Sequence, residues 1–172
     1  RYYNFLMVAL SAAQAVLLPT VAGARAKDEL RRAYRKHGTL ILLFVPVVIA
    51  ACVLTPWFMP WIDGGRYPDA GPIFWILAAS AFISFACSPY VFIVMRFGRL
   101  RFLLVLVLIT AVFNTTLNAV LIPTCGGVGA AVATLLSYAF LNGTTFYRAL
   151  RLLRDANAEL PELSPLTSAA LK

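Results

Sequence analysis

The chain has 172 residues, of which 61% are hydrophobic and only 13% charged, and it carries a formal net charge of +8. A soluble domain carries about 25% charged residues, so these side chains are too few to cover a water-facing surface, and the abundant Phe and Leu contradict the polar signature of disorder. The positive charge does not describe a nucleic-acid groove either, because the basic residues sit in short runs between apolar segments.

Residues 2–24, 38–62, 70–95 and 102–147 contain no Asp, Glu, Lys or Arg. One bilayer crossing needs about 20 mostly apolar residues, so the last run holds two. These uninterrupted runs also exclude an outer-membrane barrel, whose strands alternate over roughly 9–11 residues. The expected fold is an all-α integral membrane protein with about five transmembrane helices.

In chain order, the first span covers about 3–22, with Pro19 near its end. Its opening at Arg1-Tyr2-Tyr3-Asn4, without Met or a signal-peptide pattern, reads as part of a longer chain. A basic loop follows over 24–38, where the spacing of Leu30, Ala33 and Tyr34 suggests interfacial helix. His37, the only histidine, reads as an interfacial side chain of that loop. The second span, about 39–60, contains Pro46 and Pro56, and a turn-rich loop with Gly64-Gly65 and Pro68 leads to the third, about 73–95, which contains Pro89. After the tight basic turn 96–101 the fourth span runs over 102–122, closed by Pro123-Thr124-Cys125-Gly126-Gly127. The fifth covers 128–147. Residues 1–154 form one transmembrane bundle portion, and 155–172 a short cytoplasmic tail.

Charge sets the sidedness. The loops after the first, third and fifth spans hold twelve Lys/Arg, including Arg96, Arg99, Arg101, Arg148, Arg151 and Arg154; the opposite loops hold Arg66 alone. Basic loops stay in the cytoplasm, so the C-terminus is expected inside. Trp57, Trp61, Tyr67 and Trp75 flank the outer loop, where amphipathic rings anchor at the interface.

No constellation for catalysis, metal or cofactor binding is present. All seven acids lie in loops or tail, and Cys52, Cys87 and Cys125 form no C-x-x-C motif. With no acid–base pair to propose, the chain reads as a non-enzyme. Intramembrane polar groups are more informative. Asn114 and Asn118 are four apart and share a helix face; Gln14, Thr110, Ser137, Tyr138 and Asn142 add to the set. A lipid-facing amide without partners costs about 1–3 kcal/mol. These groups therefore serve either as interhelical hydrogen-bond glue or as contacts along a substrate path; Asn114, Asn118, Gln14 and Asn142 are the path candidates. Pro123, Gly126, Gly127 and Gly129 are candidates for turning and close packing, and Pro46 and Pro89 for hinges.

Asn118-Ala-Val-Leu-Ile-Pro123, the Gly126-Gly127 turn, Gly129-Ala-Ala-Val-Ala-Thr134 and Ser137-Tyr138 together resemble the late-helix signature of polysaccharide-export flippases. These belong to the multidrug/oligosaccharidyl-lipid/polysaccharide exporter superfamily. Leu18-Pro19, the outer Gly64-Gly65-Arg66-Tyr67-Pro68-Asp69-Ala70 segment and Pro89 resemble further family features. The resemblance implies part of a 12–14-helix, two-bundle transporter of the bacterial cytoplasmic membrane, with these five helices as numbers eight to twelve of twelve. It implies flipping of undecaprenyl-pyrophosphate-linked oligosaccharide by alternating access for polysaccharide biosynthesis, alongside a glycan polymerase and glycosyltransferases. Cavity Arg or Lys meets the pyrophosphate in that family; the spans here hold none. A drug/cation antiporter of the superfamily, a peptidoglycan-precursor flippase and a non-transporting scaffold subunit remain alternatives.

The charge asymmetry generates a topology test. With native cysteines replaced by serine, a cysteine introduced at position 99 should be labelled only from the cytoplasmic side, and one at position 65 only from outside. Outside labelling at 99 would overturn the arrangement.

Overall fold

A computed structural model describes residues 27–64 and 70–159, together with the isolated positions Val8, Ala12 and Ala15. The expected first span with Gln14, the Tyr67 loop and the chain beyond 159 lie outside the described residues. The described chain is all helical: α1 Lys27–Asp63, α2 Ala70–Arg96 and α3 Leu100–Glu159. All three are long and apolar enough to cross a membrane.

Helix α3 is interrupted at Gly126, whose φ of 56° and ψ of −135° are not helical. Its two arms, 100–125 and 127–159, fold back on each other. Phe102 meets Arg148, Phe113 meets Phe140, and Asn114 meets Ser137. These pairs define one antiparallel register. The reversal lies three residues beyond Pro123, so the first arm extends past the boundary expected at 122. The second arm likewise continues as helix to Glu159, taking in the start of the expected tail.

The hairpin packs against α2. Ile73 lies beside Gly127, Tyr90 stacks edge-on with Phe146 at 4.6 Å, and Ile93 and Val94 share a core with Ala149 and Leu152. Helix α2 and the second arm therefore run parallel. Beside Phe85 and Val94, many of their deepest residues are small: Ala78, Ser80, Ala133, Thr145 and Ala149 are at most 1% exposed. Helices in lipid gain little from hiding apolar area and associate through close backbone approach instead. Large side chains such as Leu42, Val53, Leu104 and Val112 face outward.

Between α2 and α3 the chain turns at Gly98, at φ 68°. The Gly98 N–H donates to Met95 O at 2.9 Å and the Arg99 N–H to Val94 O at 3.1 Å. That pair of bonds is the Schellman arrangement, in which a left-handed glycine lets two terminal carbonyls be satisfied.

Helix α1 lies antiparallel to α2, and proline chemistry marks two of their joints. Pro56 has no N–H, which leaves the carbonyl four residues earlier without its helical donor. That carbonyl belongs to Cys52, and the Trp75 indole N–H of α2 donates to it at 2.8 Å. Pro89 similarly frees the Phe85 carbonyl, to which Ser88 Oγ donates at 2.9 Å. One residue further along, His37 Nε2 lies 3.3 Å from Ala86 O. Its ring packs on Phe85, with centroids 5.1 Å apart. His37 is thus 3% exposed, which corrects the interfacial loop reading. The basic stretch continues α1 as helix, and that carries His37 onto α2. Pro46 is exposed on α1, whereas Pro89 is buried. Of the aromatic anchors, Trp57 and Trp61 are 79% and 81% exposed, as expected of an interface belt.

Two of the hairpin glycines carry different constraints. A Cβ on Gly126 would meet nothing, so only the backbone conformation demands glycine there. A Cβ on Gly129 would overlap the Leu121 carbonyl oxygen and stand 2.6 Å from its carbon. Gly129→Leu should therefore abolish most folded, membrane-inserted protein. Gly126→Ala should cost about 1–3 kcal/mol of backbone strain. Gly143→Ala, in open space on a helical backbone, should match wild type. Size-exclusion profiles of detergent-solubilised protein check this series, and wild-type yield of Gly129→Leu would refute the close-approach account.

Candidate functional site: a polar groove in the helical hairpin

Most hydroxyls in the described spans are satisfied within their own helix. Thr55, Thr110, Thr115, Thr116, Thr134 and Thr145 each donate to the carbonyl four residues earlier, at 2.6–2.9 Å. Such back-bonding removes the cost of a hydroxyl in hydrocarbon without joining helices. Asn142 behaves the same way: its amide donates to Tyr138 O at 2.8 Å, and the side chain is buried.

Asn114 is different. Its Nδ2 donates across the hairpin to Ser137 Oγ at 3.1 Å. Ser137 in turn donates to Ala133 O at 2.8 Å, and Asn118 Nδ2 donates to Asn114 Oδ1 at 2.9 Å. A continuous chain of hydrogen bonds therefore runs from Asn118 through Asn114 and Ser137 into the second arm.

Beside this chain the arms diverge around a partly open groove of about 380 Å³. Thr110, Asn114, Thr134, Ser137 and Tyr138 give it a polar lining, with Val107, Ala111 and Leu141 as the apolar part. Asn114 is eleven residues before Cys125, so the groove sits about 16 Å from the turn. It lies near the middle of the arm.

The groove suits a neutral, hydroxyl-rich ligand. An amide has two donors and two acceptor lone pairs; Asn114 uses one donor on Ser137 and one lone pair on Asn118. The threonine and serine oxygens have spent their protons on backbone carbonyls but keep acceptor capacity. Ligand hydroxyls can donate to those oxygens and accept from Asn114. The lining holds no carboxylate, histidine or cysteine, so it offers no pair for acid–base chemistry. Among the described residues no group of His, Cys, Asp or Glu could hold a metal ion.

Of the four path candidates, the structure places Asn114 in the groove wall and Asn118 behind it as a hydrogen-bond donor. The Asn142 amide donates to its own helix, and the residue is not among those lining the groove. Pro123, Gly126, Gly127 and Gly129 come together at the hairpin end, next to Ile73 of α2. The groove residues Thr110, Thr134, Ser137 and Tyr138 stand out only once the hairpin register is known. A turn placed at Gly126 and counted outward along both arms pairs Asn114 with Ser137.

Because Ser137 keeps its bond to Ala133, loss of the Asn114 partner leaves Ser137 paired, and only the part-buried Asn118 amide loses an acceptor. Asn114→Leu should cost about 0.6 kcal/mol, the average for an interhelical contact in a membrane. Ser137→Leu should be worse, because it removes the acceptor of the Asn114 amide and puts a larger side chain at a position only 3% exposed. Thermal denaturation in detergent separates the two, and equal losses would contradict the bonding pattern.

No family model, curated protein or solved structure matches the chain.

Proposed function

We propose that this chain is part of a bacterial cytoplasmic-membrane transporter that passes a lipid-linked oligosaccharide between leaflets by alternating access. The observation that carries this reading is the groove between the arms of α3. It is uncharged, carries Asn114, Ser137 and threonine oxygens among apolar side chains, and is partly open near the middle of a largely apolar hairpin. Transporters place substrate sites near the bilayer midplane. A sugar headgroup matches the donors and acceptors available, while the lipid chain would run along the apolar exterior.

In this reading the chain crosses the membrane five times. The span over 3–22 enters from outside, α1 and α2 contribute one crossing each, and the arms of α3 contribute two. The C-terminus lies in the cytoplasm. The likeness of residues 118–138 to polysaccharide-export flippases supports the substrate class, and the twelve-to-one distribution of Lys/Arg supports the orientation.

The test combines Asn114→Leu with Asn118→Leu, removing both amides while keeping helix-forming side chains. Membrane-inserted protein should stay within about twofold of wild type, as expected for contacts of about 0.6 kcal/mol each. Surface glycan, measured in a strain lacking its own flippase, should fall severalfold. Undiminished glycan at normal expression would remove the groove from the transport path and favour a scaffold role.

A further inference from the structure

One end of the described bundle is strongly basic. Six arginines, Arg96, Arg99, Arg101, Arg148, Arg151 and Arg154, come from the α2–α3 turn and from both arms of α3. The core of Ile93, Val94, Ala149 and Leu152, with Phe102 and Leu103 packed against it, draws these segments together. Asp155 is the only acid between residues 96 and 155, and no ion pair forms among the described residues.

Arg148 occupies the centre of this end. Its guanidinium carbon lies 5.8 Å from the Phe102 ring centroid, a cation–π arrangement across the hairpin. Its Nε is buried and has no hydrogen-bond partner among the described residues. Arg151 is placed over Tyr147 at 4.8 Å. Exposed Leu100, Leu104 and Leu150 adjoin the arginines with an apolar surface. Together these features ask for an occupant with an anionic head and a hydrocarbon body.

We propose that this end is a binding site for an anionic phospholipid, with the phosphate held by Arg148 and the neighbouring arginines and the acyl chains lying along the lower hairpin. A phosphodiester accepts paired hydrogen bonds from a guanidinium; on half-buried Arg148 these come from the two outer nitrogens, since Nε itself is buried. Attraction of a basic membrane-edge segment to an anionic leaflet is worth about fivefold in affinity per Lys or Arg. The proposal stands apart from the transport reading, since it uses neither the groove nor the identity of the cargo.

Native mass spectrometry of the full-length protein in mild detergent tests it, with graded phosphatidylglycerol against phosphatidylcholine. Wild type should retain phosphatidylglycerol at least about fivefold better. Arg148→Gln should lose about fivefold, whereas Arg148→Lys should recover part of that loss. Arg35→Gln should lose clearly less than Arg148→Gln, because Arg35 is on α1, which makes no contact with the hairpin. If Arg148→Gln does not fold, Arg101→Gln and Arg151→Gln carry the same test, each with about a fivefold loss. Equal retention of the two lipids overturns the proposal. So does undiminished retention by folded Arg148→Gln, or displacement of the lipid by millimolar inorganic phosphate, which would indicate a site for free anions.

Discussion

A helix end leaves terminal N–H and C=O groups without partners in its own helix, so a reversal made in very few residues exposes the least irregular backbone. In α3 it is made at one. Gly126 takes φ 56° and ψ −135°, a conformation that a side chain would strain, and helix continues on both sides. Everything beyond the turn follows from the register it sets. Gly129 comes against the Leu121 backbone, Asn114 against Ser137, and Arg148 against Phe102. A turn displaced by one residue would rotate the second arm by about 100° and separate every one of these pairs.

The same demand for internal satisfaction explains how α1 and α2 tolerate Pro56 and Pro89. Each proline inside a helix removes one donor, and the freed carbonyl becomes a place where a neighbour can bind. Trp75 uses the Cys52 carbonyl to tie α2 to α1 at one end, while Ser88 fills the vacancy opened by Pro89. His37 packs beside the second of these joints, against Phe85 and Ala86. At Pro56 and beside Pro89, irregular points of the helices are thus also points of contact between them.

Hydrogen bonding also separates the intramembrane polar side chains into two populations. Threonines and Asn142 close bonds onto their own helices, and in the groove Thr110 and Thr134 therefore offer little more than acceptor oxygens. Asn114 makes a cross-arm bond and borders open volume. It is glue and groove wall at once, because an amide has enough donors and acceptors for both tasks. The alternatives posed by the sequence therefore do not exclude each other at this residue.

Helix α2 was legible nearly to its ends, 73–95 against Ala70–Arg96, because uncharged runs bounded by arginine and aspartate report burial in hydrocarbon directly. The reversal near 123–127 was legible from its glycines, since a tight turn needs a residue free of the Cβ restriction. Composition along the chain thus determined the helical class, the apolar segments and the site of the hairpin. It could not place His37 inside, because that depends on α1 extending helically through its basic stretch and on what α2 offers there. Nor could it distinguish Asn142, turned onto its own helix, from Asn114, which reaches Ser137. Spacing along one helix says which residues share a face, but which face meets another helix depends on how the helices are packed. Only the tertiary structure, through the angle and register set at Gly126, decided which amide borders the groove and which arginine lies against Phe102.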